Sequence, residues 1–216
     1  MLIADNILRD RLKNVYFIWG SGKTTAANSL HEKYGFYIYS TDAGRDINFR
    51  KADPLYQPYM CRDYVKEYNV RSFWELPSDV IADRELHFLN EVTPMLIADL
   101  LVLAAHNNIV ICEGDIDYKS ILPLTNNIVY LLNIGQKYDW FNRPDHSDAL
   151  ESINKRNDLS SVEKQEIINK AYETASSWDN SLPNWVIEHG IKYIKWDNNT
   201  DPIKTADEIV HYFGLI

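Results

Sequence analysis

Val15-Tyr16-Phe17-Ile18-Trp19-Gly20-Ser21-Gly22-Lys23-Thr24-Thr25 joins an apolar run to a glycine-rich turn and the start of a helical pattern. The run 15–19 suits a strand covered on both faces, and 24–34 reads as a helix closed by Gly35. A turn in that setting can hold phosphate. Glycines let the backbone bend so that N–H groups face an anion, and the helix start adds unbonded N–H groups and partial positive charge. Lys23 then reaches the β- and γ-phosphates, and the hydroxyl of Thr24 binds Mg²⁺. Gly20, Ser21, Gly22, Lys23, Thr24 and Thr25 are the candidate nucleotide-binding set. A plain tight turn leading into a helix is the competing reading, and it leaves the strand–turn–helix setting without a use.

The spacing is short. A phosphate loop of this type has four residues between its first glycine and the Gly-Lys-Ser/Thr group. Here only Ser21 separates Gly20 from Gly22, and Phe17 stands where the first glycine belongs. So short a loop cannot wrap a phosphate with successive amides. It still offers the helix-end amides of Lys23, Thr24 and Thr25.

Working outward, short β-rich runs alternate with longer helical patterns, the sign of a parallel sheet with helices on both faces. Strands are expected at 36–40, 109–112, 128–132 and 191–196. Residues 41–76 look irregular, apart from a helix near 59–68, with Pro54, Pro58 and Pro77 as breakers. Ser78 opens a long helix with apolar positions at Phe88, Leu89, Val92, Leu96, Leu100 and Leu103, which Pro94 should kink. Ser160 with Glu163 matches a capping box. A last helix is expected from Pro202 to Phe213.

Two carboxylates fall after strands, where open α/β sheets bind ligands. Asp42 follows the second strand and can accept a proton from a substrate hydroxyl or hold a metal-bound water. Glu113 ends the third and can bind Mg²⁺ through water or contact substrate. The bland readings are a turn or cap for Asp42 and a solvated strand end for Glu113. Asp46 and Asp115 are weaker versions of the same idea. Phosphoryl transfer needs a cation near the transferred charge. Arg143, in the polar stretch after the fourth strand, is the choice, with Arg156 behind it. Tyr56, Tyr59 and Trp74 are candidates to line a substrate pocket, against core packing.

Composition narrows the class. A net charge of −9 with no basic cluster argues against a nucleic-acid binder. The two cysteines, Cys61 and Cys112, lie far apart and match neither a disulfide framework nor zinc spacing. The start of the chain lacks a signal-peptide pattern, and the apolar stretch 95–105 is interrupted by Asp99, so the expectation is a cytoplasmic protein without membrane partners.

The chain resembles the bacterial P-loop kinase-like proteins related to adenylate kinase, shikimate kinase, chloramphenicol phosphotransferase and zeta toxin. The resemblance spans nearly the whole chain. It rests on Tyr16-Phe17-Ile18 with Gly20-Ser21-Gly22-Lys23-Thr24-Thr25, and on Tyr34-Gly35-Phe36-Tyr37 leading to Asp42. Weaker support comes from Thr93-Pro94-Met95 with Asp99-Leu100-Leu101, Cys112-Glu113-Gly114 and His211-Tyr212-Phe213-Gly214-Leu215. It implies an α/β three-layer P-loop NTPase fold as a single domain over 1–216: a five-stranded parallel sheet of order 2-3-1-4-5 with a helical lid. The lid falls at 134–160 and carries Arg143; a substrate-binding segment falls at 43–77. The resemblance also implies a general base at Asp42 and an adenine-side loop at Asp197-Asn198-Asn199. Relatives often carry two acids after the second strand, whereas Ala43 follows Asp42 here.

The reading that results is a phosphotransferase dependent on ATP and Mg²⁺ and acting on a small hydroxyl-bearing acceptor. Asp42, Lys23 and Arg143 are catalytic, and Thr24 and Glu113 hold the metal. The alternative, favoured by the short loop, is a nucleotide-binding protein without turnover.

Overall fold

A strand buried on both faces must alternate its side chains between two cores. That is what the first strand does in the computed structural model, which describes residues 2–64, 76–134, 151, 153–197 and 199–216. In Val15–Gly20 (β1), Val15, Phe17 and Trp19 enter one core while Ile18 enters the other. Tyr37–Ser40 (β2), Val110–Glu113 (β3), Ile128–Asn133 (β4) and Lys192–Trp196 (β5) complete the sheet. The order is β2-β3-β1-β4-β5 and every pairing is parallel. Flanked by helices on both faces, this is the three-layer α/β architecture, with the strand order, that the sequence led us to expect.

The helices, labelled in chain order among the described residues, are Leu2–Arg11 (α1), Lys23–Tyr34 (α2), Thr41–Phe49 (α3) and Pro58–Tyr64 (α4). Then come Ser78–His106 (α5), Tyr118–Ile121 (α6), Ser161–Glu188 (α7) and Pro202–Phe213 (α8). The larger core joins Val15, Phe17, Val110, Cys112 and Ile128 to Phe88, Val92, Leu96 and Leu100 of α5. The other joins Ile18, Ile111, Val129, Leu131 and Ile194 to Ala26, Ala27 and Leu30 of α2 and Ala206, Ile209 and Val210 of α8.

By length and composition alone α5 could cross a bilayer. Its buried apolar residues pack on the sheet, and its Asp99 accepts hydrogen bonds from Tyr39 Oη and Asn48 Nδ2, both at 2.8 Å. Burial and Asp99 together push the Tyr39 phenol well up, which keeps it a donor.

Two stretches differ from expectation. Residues 41–49, read as irregular, are helical. The fully buried positions of α3 are Thr41, Gly44 and Asn48, and only Phe49, at its end, is an apolar residue packed on the core, so its inward face has helical spacing with little apolar signal to reveal it. The chain before β1 also forms a helix, anchored on the core by Leu8 and the buried Leu12. Residues 65–75 lie outside the described set, so the far end of the helix expected at 59–68 and Trp74 do too.

The caps follow the sequence closely. Ser160 and Glu163 form the expected capping box, and Asp201 accepts from the amides of Ile203 and Lys204 ahead of Pro202. Asp201→Ala is expected to cost about 1 kcal/mol by orphaning those amides. In a chain of this size that lowers the melting temperature by about 2–4 °C, read by calorimetry.

Candidate functional site

Parallel pairing brings the ends of three strands to one edge. Glu113, the last residue of β3, lies in register between Ile18 of β1 and Ser40 of β2. The turn behind β1, the turn behind β3 and the start of α3 therefore meet at the carboxyl edge, where ligands of open α/β sheets bind.

Behind β1, Gly20, Ser21 and Gly22 make a tight turn into α2. Gly22 caps the helix at φ 72°, a left-handed conformation that favours glycine. A Cβ there would also lie 2.0 Å from Cε2 of Trp196, so the end of β5 packs against the turn. The Ser21 amide donates to Leu131 O at 2.9 Å and extends the β1–β4 ladder instead of facing an anion. The first helical bond runs from Ala26 N to Gly22 O. The amides of Lys23, Thr24 and Thr25 thus precede the intrahelical ladder, as at any helix start.

The Thr24 hydroxyl donates to Glu113 Oε2 at 2.9 Å. Glu113 is only 3% exposed, so this carboxylate has been taken out of water and is held by a hydroxyl. Lys23 Nζ lies 3.9 Å from Asp115 Oδ1, and its side chain is 17% exposed. Tyr118 Oη donates to Gly114 O at 3.0 Å and Asp117 N donates to the buried Thr93 hydroxyl at 2.9 Å, which fixes the turn that carries Asp115. Gly114 takes φ 119°, and a Cβ there would lie 2.0 Å from Thr41 Oγ1. That close approach seats the start of α3 against the end of β3. Cys112, one residue before Glu113, is fully buried, and burial pushes its thiol well up, so it stays protonated.

Asp42 stands in the first turn of α3, beyond the end of β2, with its side chain 65% exposed. One turn on, Arg45 reaches back to it, Nη1 to Asp42 Oδ1 3.6 Å. The other nitrogen, Arg45 Nη2, donates to Asp115 O at 3.4 Å. Arg45 was not among the residues singled out from the sequence. Its pairing with Asp42 depends on helical spacing in a stretch that reads as irregular.

The structure therefore gathers Gly20, Ser21, Gly22, Lys23, Thr24, Glu113, Asp115 and Asp42 on one edge and adds Arg45. Asp46 is exposed. Asp197 follows β5, next to Trp196, but its Oδ1 accepts from Asn199 N and from the Thr200 hydroxyl, both at 2.9 Å, closing a local turn. Arg143 and Asn198 lie outside the described residues, as does most of the stretch 134–160 read as a lid. Arg156 pairs with its near neighbour Asp158. Tyr59 stacks on His87 at 4.5 Å, and Tyr56 is 72% exposed.

The donor set suits a hard cation. Mg²⁺ is typically held by one or two protein oxygens, with phosphate and water completing its shell. Thr24 Oγ1 and Glu113 Oε2 supply oxygens of that kind, already within hydrogen-bond distance of each other. Among the described residues no group of three or more His, Cys, Asp or Glu could hold a metal ion, so such a site would depend on phosphate and water for its remaining ligands.

No protein-family model matches the chain, and no curated protein sequence matches it. Among solved structures it is similar to a dephospho-CoA kinase from Campylobacter jejuni, at 14% identity and a TM-score of 0.41 over 94% of this chain and 96% of that one. It is also similar to an uncharacterised protein from Eubacterium ventriosum, at 15% identity and a TM-score of 0.36 over 94% of this chain and 98% of the other. Neither likeness bears on the chemistry.

Proposed function

We propose that the chain is a phosphotransferase that moves the γ-phosphoryl group of ATP to a hydroxyl of a small molecule. The observation that carries this reading is the Thr24–Glu113 hydrogen bond. It ties the helix start behind Gly-Ser-Gly-Lys-Thr to the end of the neighbouring strand, with Asp42 just beyond the next strand end.

In this reading Lys23 and the first amides of α2 hold the phosphates. Thr24 and Glu113 would hold Mg²⁺, which when bound neutralises charge on the phosphate oxygens. Asp42 accepts the proton of the acceptor hydroxyl as the new O–P bond forms and the bond to the β-phosphate oxygen breaks. ADP leaves, and the proton passes from Asp42 to solvent. Arg143 serves as a further cation from the stretch after β4. A soluble cytoplasmic protein without nucleic-acid or membrane partners fits the acidic composition.

A second reading, nucleotide binding without turnover, is favoured by the turn itself. The Ser21 amide is committed to Leu131 O, and Trp196 packs on Gly22, so the turn offers fewer phosphate donors than a full-length loop.

One experiment separates the two: ATP titration by calorimetry with and without Mg²⁺, alongside ATP consumption with nucleosides, sugars and antibiotics as acceptors. Mg²⁺-dependent binding with acceptor-stimulated consumption is expected. Tight binding with no consumption on any acceptor favours the second reading, and no binding at all defeats both.

A further inference from the structure

We propose that the indole N–H of Trp196 binds phosphate at the start of α2, in place of loop amides that the short turn lacks. This rests on the reading of that helix start as a phosphate site and adds to it a residue from β5.

The strand dictates where the ring goes. Along β5 Ile194 and Trp196 are the buried residues, two apart, and both join the core covered by α2 and α8. The Trp196 backbone is tied to β4, where it pairs with Asn133 and its carbonyl accepts from Ile134 N at 3.0 Å. The ring then meets the turn behind β1 with the edge that carries its nitrogen. The atoms nearest to a Cβ added at Gly22 would be Cε2 at 2.0 Å, Cζ2 at 2.3 Å and Nε1 at 2.4 Å. Glycine allows so close an approach, and Gly22 is the N-cap of α2. The indole nitrogen therefore lies against the residue that opens the helix, one residue before the Lys23 amide.

A ring that only filled space would not need that nitrogen. Trp196 is 7% exposed, and a buried indole N–H ordinarily has an acceptor. Among the described residues the hydrogen bonds of Trp196 are those of its backbone, and Nε1–H has no acceptor. The turn, for its part, is short of donors. Ser21 N donates to Leu131 O, and a Cβ at Gly20 would lie 2.3 Å from that same oxygen, so the turn lies down on the end of β4. A donor carried on β5 returns one N–H to the place where the start of α2 adds partial positive charge. Packing already fixes the ring, so it loses little freedom when an anion arrives, and a bond to an anionic oxygen is stronger than one to a neutral acceptor.

The test follows the indole N–H signals of the full chain by proton–nitrogen NMR, with the Trp196 signal assigned by its loss in Trp196→Phe. Mg²⁺-ATP, sodium tripolyphosphate and adenosine are titrated separately. With either polyphosphate the Trp196 indole proton is expected to move downfield and to exchange more slowly with water; with adenosine it should stay in place. Trp196→Phe keeps an aromatic ring against Gly22 without the N–H, and should bind both polyphosphates about tenfold more weakly by calorimetry. If that variant does not fold, the Trp196 signal is assigned through bonds in the unmodified chain and the titration alone decides. Lys23 and Thr24 amides that respond while the Trp196 indole does not overturn the assignment and leave the phosphate site standing. An indole that responds to adenosine as it does to ATP, or equal polyphosphate affinity in Trp196→Phe, overturns it as well. No response of these signals to either polyphosphate defeats both the assignment and the phosphotransferase reading. An indole response to polyphosphate without ATP consumption on any acceptor keeps the assignment and sinks the phosphotransferase reading instead.

Discussion

Asp42→Asn is expected to lower turnover by about 10²–10⁴-fold while ATP affinity stays near that of the unmodified chain. The amide keeps the size and polarity of the side chain but cannot accept the proton of the acceptor hydroxyl. Stability should hold as well. Asp42 is largely exposed, and its pair with Arg45 spans 3.6 Å at the surface, a class of contact worth about 0–1 kcal/mol. Steady-state ATP consumption with a responsive acceptor, calorimetric titration of ATP and a thermal melt separate these effects. A fall in turnover matched by an equal fall in ATP affinity would assign Asp42 to nucleotide binding. Unchanged turnover would remove it from the chemistry.

How far the sequence reveals the site depends on which physical signal each part carries. β1, β3 and β4 are legible because a strand covered on both faces must be apolar throughout, and their order places Lys23, Thr24 and Glu113 together. The caps at Gly35 and Ser160 are legible because each acts within a few residues of itself. α3 is not legible. Its buried face is Thr41, Gly44 and Asn48, and Asn48 is held through Asp99, a residue far along the chain. With that helix unseen, the i, i+3 relation of Asp42 to Arg45 is unseen too, and the search for a cation moves on to Arg143. Asp197, placed in an adenine-side loop by the resemblance alone, has its Oδ1 on the Asn199 amide and the Thr200 hydroxyl, contacts within three residues of itself.

Lys23→Ala is expected to weaken ATP binding by about 1.5–3 kcal/mol, roughly 10–150-fold, because it removes a charge-assisted contact to phosphate. The short turn argues for the upper part of that range. In a full-length loop several amides share the phosphate charge, so the loss of one lysine is partly covered. Here a single residue separates Gly20 from Gly22, and its amide is spent on Leu131 O. Lys23 and the start of α2 carry what remains. The same reasoning sets the starting point low: the unmodified chain should bind ATP weakly and turn over slowly. The fold should not suffer, since the described ion pair of Lys23 with Asp115 spans 3.9 Å and Asp115 is half exposed. Calorimetric titration of Mg²⁺-ATP into both proteins measures the effect, with a thermal melt to confirm folding. Equal affinities would put the phosphates somewhere other than the start of α2. Undiminished turnover in the alanine variant would remove Lys23 from phosphoryl transfer and, with it, the kinase mechanism built on this edge of the sheet.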